Sequence, residues 1–260
     1  MLQAYRDAKY GALTISNHDL YTDTESHPAG EGMVMVNGYE YSQAKHMLCI
    51  NCKSAIFGNH RDTIRVCREQ GGFVILCHPN WQAAKYWPLE DIDALTGYTG
   101  IEIYNGVIFR LNGSGLATDT WDYLLSQGKL VWGFGNDDFH RWHDLARVQT
   151  MIGVTERSKA GLLAGIERGS FYVTTGLILR VMTLSGNELT VKADAGVTYL
   201  QRYAYTLIGE GGEVLSAQEG ESARFTIPEG HKYVRVHVNC EHGAMLWTQP
   251  VYRQEAFRRP

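Results

Sequence analysis

Gly72-Phe73-Val74-Ile75-Leu76-Cys77-His78-Pro79 reads as a short apolar strand that runs directly into a histidine and stops at a proline. An unbroken apolar run of this length, with no alternation, is what a strand buried on both faces looks like. Strands of the same kind are expected at residues 12–16, 46–51, 100–104, 129–133 and 148–154. Helix-like stretches lie between them at 62–70, 89–95 and 117–127, and a further helix at 158–168 is closed by Gly169. Alternation at intervals of roughly 25–30 residues is the pattern of repeated β-α units with parallel strands. After residue 178 the helical period disappears. Strands with turn signals take over at 180–184, 188–193, 203–208, 223–227 and 232–239, which predicts a small antiparallel sandwich. The expected division is therefore 1–178 for an α/β domain and 179–260 for a β-rich one.

Three of the strand candidates end in residues that bind metals. Residues 12–16 lead to Asn17-His18-Asp19, the quoted strand delivers His78, and 129–133 lead to Asn136-Asp137-Asp138-Phe139-His140. A fourth element, Gly38-Tyr39-Glu40-Tyr41, is closely followed by Lys45-His46. Taken singly, each is more simply a solvated turn. Taken together they predict a cluster, because the carboxyl ends of parallel strands converge on one face. Imidazole and carboxylate suit borderline divalent cations and need no thiolate.

In order and spacing these motifs resemble the PHP (polymerase and histidinol phosphatase) metallohydrolases: Thr14-Ile15-Ser16-Asn17-His18-Asp19, Gly38-Tyr39-Glu40 with His46, Leu76-Cys77-His78-Pro79, Ile101-Glu102-Ile103-Tyr104-Asn105 and Gly135-Asn136-Asp137-Asp138-Phe139-His140. The stretch from Gly165 to Gly176, with Ser170-Phe171-Tyr172-Val173-Thr174-Thr175-Gly176, is similar to a segment of the branch that contains carbamate hydrolases of the CehA/McbA type. The resemblance covers about residues 5–180. It implies a distorted (β/α)7 barrel, a TIM-like arrangement, with up to three iron, manganese or zinc ions. The ligands it implies are His18, Glu40, His46, His78, Asp138 and His140. Glu40 would bridge two ions, His46 and His78 would complete one of them, Asp138 would serve the first, and His18 with His140 the third.

Two departures qualify what the resemblance implies. The family's first strand carries His-x-His, and nothing ahead of Ala12 supplies it; residues 1–10 resemble the helix that follows that strand. Fewer than three ions are then expected, with the site of Glu40, His46 and His78 retaining metal best. Asn17 stands where the family has Asp, which removes a negative charge beside His18. The implied activity is a phosphoesterase using metal-activated water. The alternatives are a carboxylic or carbamic ester hydrolase, and a binding protein without turnover. Asp19 is a candidate to orient water or protonate a leaving group, against the simpler reading of a turn aspartate. Asn105 and Arg141 are candidates for substrate contact, and Trp142 and His143 follow in the same loop.

The remaining features exclude more than they suggest. A formal charge of −4 and pI near 6.2 give no field for nucleic acid, so the expected partner is a small-molecule ester. No apolar run approaches the roughly 18 residues of a membrane helix. Five cysteines, Cys49, Cys52, Cys67, Cys77 and Cys240, are an odd number in a chain of 260 residues, which predicts reduced thiols and a cytoplasmic location. The pair Cys49 and Cys52 lacks the second pair that a zinc site needs. His27 is a further candidate ligand. The aromatic tail, with Tyr199, Tyr203, Tyr205, Tyr233, Trp247 and Tyr252, is expected to fill a small sandwich core.

Overall fold

The computed structural model describes residues 1–24, 32–83, 86–196 and 201–260; His27 and Tyr199 lie outside the described residues. The chain opens with helix α1 (Leu2–Asp7), then strands β1 (Ala12–Thr14), β2 (Val34–Val36), β3 (Gly38–Tyr41) and β4 (Met47–Ile50). Helix α2 (His60–Glu69), β5 (Phe73–Leu76), α3 (Leu89–Asp93), β6 (Gly100–Asn105), α4 (Thr118–Ser126) and β7 (Trp132–Asn136) follow. Next come β8 (Gln149–Ile152), α5 (Lys159–Glu167) and β9 (Phe171–Thr174). The rest is strand: β10 (Ile178–Ser185), β11 (Glu188–Asp194), β12 (Tyr203–Ile208), β13 (Val214–Glu219), β14 (Ala223–Thr226), β15 (Tyr233–Cys240), β16 (Met245–Thr248) and β17 (Val251–Tyr252).

The (β/α)7 barrel expected from the family resemblance is not what the chain forms. Strands make up 37% of the described residues against 21% helix, and they are distributed over several sheets. In the five-stranded sheet β3-β4-β5-β6-β7, only β5-β6-β7 are parallel; β3-β4 and β4-β5 are antiparallel. The reason is local. Residues 42–46 between β3 and β4 are enough for a hairpin, whereas a parallel crossover needs a dozen residues or more. Strands β8 and β9 also pair antiparallel, despite the helix between them, and β9 joins β16 in a seven-stranded sheet. That sheet draws strands from both sides of residue 178. Strands β10-β11-β14 form a separate antiparallel sheet, and Leu189, Val191 and Phe225 from it share a core with Tyr205, Leu207, Val236 and Val238.

Period-two alternation divides the five-stranded sheet into two faces. Met47, Cys49, Val74, Leu76, Ile101 and Ile103 point to one side, in a core with Ile64 of α2 and Trp121, Leu124 and Leu125 of α4. The intervening residues Leu48, Phe73, Ile75, Cys77 and Phe134 point to the other, toward Ile166 of α5 and Phe171 of β9. Register places Glu40 opposite Leu48 and Leu48 opposite Ile75, so Glu40 belongs to this second face. Glu102 lies between Ile101 and Ile103 and faces the same way.

Among the described residues, no helix is long and apolar enough to cross a membrane. All five cysteines are unbonded and buried.

Candidate metal centre

Backbone pairing brings His18 to Glu40. Residues 17–22 run beside β3, with the Asp19 N–H donating to the Glu40 carbonyl at 2.7 Å and the Glu40 N–H donating to Asn17 at 3.1 Å. The turn is tied down by side chains. Asn17 Nδ2 donates to Thr22 Oγ1 at 2.8 Å, and both Asp19 carboxylate oxygens accept from Ser42, one from its N–H and one from its hydroxyl, each at 2.8 Å. Asp19 therefore holds the β3–β4 loop. His46 leaves that loop with its carbonyl fixed by the Cys77 N–H at 3.1 Å and the Trp87 indole at 3.2 Å.

His78 and Asp138 follow β5 and β7 with φ of 34° and 53°. Left-handed backbone at a non-glycine residue costs free energy and persists where the surroundings hold it. At His78 the restraint is Glu102, whose Oε2 accepts the His78 N–H at 2.6 Å. At Asp138 the following loop is clamped: Asp144 accepts the backbone N–H of His140 and of Arg141 at 3.0 and 2.8 Å and is gripped by Arg110 through two contacts of 3.0 Å.

The side chains then meet. Glu40 Oε1 lies 2.7 Å from His46 Nδ1 and 3.6 Å from His78 Nε2, and its Oε2 lies 3.7 Å from His18 Nδ1. His18 Nε2 lies 3.4 Å from His140 Nε2, and His140 Nδ1 is 3.3 Å from Asp138 Oδ1. Glu40, His46 and His78 are buried, whereas His18 and His140 stand at the mouth with side chains 47% and 45% exposed. Trp81 sets its ring edge-on to His46 and His78 at 5.9 and 5.0 Å.

Asn105 is buried, and all of its amide is engaged. Its nitrogen donates to Glu102 at 2.8 Å and to Asp138 at 3.2 Å, and its oxygen accepts from Val107 and Ile108 at 3.0 and 3.2 Å. It orients two carboxylates from beneath the cluster. Arg141 is exposed, as are Trp142 and His143. Cys49 and Cys52 lie in the helix-covered core, on the opposite face of the sheet from Glu40.

Glu102 is the residue that sequence reasoning quoted without giving it a role. Besides His78 and Asn105 it accepts from Asn136 Nδ2 at 2.7 Å. The signal was available: an acid between two isoleucines in a strand buried throughout has nowhere to go but the interior. Burial, together with the charge of Asp138, raises its carboxyl to about 7. Burial works against ionisation of Glu40 too, yet hydrogen bonds from His46 and His78 and the charge of His18 outweigh it and hold that carboxyl at about 2. Burial opposes a charge on His78, and Glu40, Glu102 and Asp138 together overcome it and raise its pKa. For Asp138, burial and the neighbouring Glu40 act in the same direction, upward.

This donor set fits a divalent cation. His18, Glu40 and His46 offer ligand atoms all within 4.8 Å of one another. Two buried ring nitrogens, His46 Nε2 and His78 Nδ1, have no hydrogen-bond partner among the described residues, a condition native interiors rarely tolerate without a functional reason. No protein-family model matches the sequence, and no curated protein matches it, so the reading of this centre rests on its own geometry.

Proposed function

We propose that the chain is a metal-dependent phosphoesterase, as its likeness to the PHP motifs implies. The observation that carries the reading is the convergence of His18, His46 and His78 on Glu40, from three separate stretches of sequence, within 3.7 Å. His18, Glu40 and His46 would hold the cation, with His78, Asp138 and His140 adjoining. A bound iron, manganese or zinc ion supplies Lewis acidity, lowering the pKa of water and polarising a phosphoryl oxygen.

The protein's own groups do the rest. Glu102 and Asn105 fix His78 and Asp138 from below, and the Arg110–Asp144 pair fixes His140. Water's oxygen joins phosphorus as the bond from phosphorus to the ester oxygen breaks. The proton that the attacking water gives up passes to solvent at the mouth, beside His18 and His140, and the departing alkoxide takes a proton from that solvent.

Metal analysis of the purified protein, followed by assays with p-nitrophenyl phosphate, bis-p-nitrophenyl phosphate and aryl esters, tests the reading. Turnover is expected on the phosphates, with loss of bound metal in His46→Ala and loss of turnover in Asp138→Ala while both variants stay folded. Preferential cleavage of the aryl esters would move the assignment to carboxylic or carbamic esters. Metal binding without any turnover would leave a binding protein.

A further inference from the structure

The face of the five-stranded sheet that carries Glu40 and Glu102 borders a half-open chamber of about 410 Å³, flanked by residues between Met1 and Asn17, β8 and α5. Leu48, Ile75, Phe134, Val148, Ile152 and Ile166 wall its interior, and Glu40, His78 and Asp138 stand at one end. His78 and Asp138 also line a smaller opening of about 130 Å³ with Trp81, Ile108 and Leu111. The cluster therefore lies on the wall that the two spaces share, with His18, His78, Asp138 and His140 lining both.

Well-packed interiors leave few voids larger than a water molecule. A largely apolar space of several hundred Å³ with a few polar groups converging at one end has the character of a ligand site. Most polar groups along the chamber are spent on the protein itself. Tyr5 donates to Asp137 at 3.0 Å, Thr150 to the Gly135 carbonyl at 2.9 Å, and Asn136 to Glu102 at 2.7 Å. Among the described residues no lysine or arginine lines it, and Thr14, Ser16, Asn17 and Gln149 add only neutral polar groups, so an anionic group would find no cation there. The aliphatic part of its wall favours an uncharged, apolar occupant.

We propose that the larger chamber takes the hydrocarbon portion of the substrate, which is then a phosphate monoester of an aliphatic alcohol. The proposal rests on the phosphoesterase reading for its phosphate end, and on the chamber alone for its hydrocarbon end. Hydrolysis consumes one water, breaks the bond from phosphorus to the alkyl oxygen, and releases inorganic phosphate and the alcohol.

The alcohol is neutral, so its binding can be measured on metal-free protein. Displacement of N-phenyl-1-naphthylamine by ethanol, butanol, hexanol, octanol and decanol should show affinity rising about fourfold per methylene until the chamber is full. Ile152→Trp and, independently, Leu162→Trp narrow the chamber away from the cluster. Each is expected to weaken decanol at least tenfold while leaving metal uptake unchanged, and to abolish any preference for decyl over phenyl phosphate. Affinity that is flat with chain length, or decanol binding unaltered in both filled variants, overturns the chamber assignment and leaves the phosphoesterase intact. Decanol binding with no turnover of any phosphate ester overturns the phosphoesterase, and the substrate assignment falls with it.

Discussion

Asp122 on α4 and Glu102 on β6 are buried to nearly the same extent, 4% and 2% exposed, yet they keep different company. Asp122 accepts from Arg235 Nε at 2.8 Å, from Arg235 Nη2 at 2.5 Å and from the Tyr233 hydroxyl at 2.9 Å. A full positive charge matches it, and the pair ties α4 to β15. Glu102 has only amide donors, and Glu40 beside it has only imidazoles. Burying a carboxylate is costly unless it is paired and hydrogen-bonded. At Asp122, and again at Asp144 with Arg110, this chain supplies a guanidinium. Where Glu40, Glu102 and Asp138 gather, among the described residues no lysine or arginine pairs with them, and the compensation comes from groups that exchange protons or from neutral dipoles. That arrangement leaves negative charge for an external cation to neutralise.

The contrast breaks or sharpens in four measurements. The largest effect is expected for Asp122→Ala, which strands Arg235 in the interior and should cost about 3–5 kcal/mol in urea denaturation. If Glu102→Gln in metal-free protein cost more, the two acids would not differ as described.

Next is the pH dependence of metal-free protein. The Glu102 carboxyl is raised from its ordinary 4.5 to about 7, so the folded state holds a proton that the unfolded chain has released. Its contribution is fully present below pH 4.5 and lost as pH rises through 7, on the order of 3 kcal/mol in all. Urea midpoints measured between pH 4.5 and 8 should fall accordingly, and Glu102→Gln should flatten that part of the profile.

Asn105→Ala comes third. It removes the donor shared by Glu102 and Asp138 without removing a ligand, so zinc or manganese affinity measured by calorimetry should drop about 10–100-fold with the melting transition still cooperative. Smallest is the exposed pair Arg180–Asp194, with side chains 48% and 33% accessible; Arg180→Ala should change stability by less than about 1 kcal/mol. A larger loss would mean that exposed pairs in this protein matter more than their setting suggests.

Much of the layout was legible. The apolar run at 72–77 and the alternating segments of the tail are strands because local pattern decides whether a segment can bury one face or both. Sheet membership was not legible. Nothing in residues 149–152 and 171–174 reveals that they pair antiparallel and join β16, since that choice depends on partners up to about 75 residues away. The short span between Glu40 and His46 points to the β3–β4 hairpin, whereas the spacing of the strand and helix segments by itself points to parallel crossovers. Glu102 was readable as an acid between isoleucines, but its three donors come from β5, β6 and β7 and meet only in the folded sheet.

By itself the sequence determined which segments extend, which coil, and that metal-binding residue types stand where strands end, because these follow from neighbours along the chain. Tertiary structure decided that the strands assemble into mixed and antiparallel sheets instead of a closed barrel. It also decided that Asp122 receives a guanidinium while Glu40 and Glu102 do not. Pairing partners and burial are set by residues distant in sequence, and the free energy of a buried charge depends on which of them arrive.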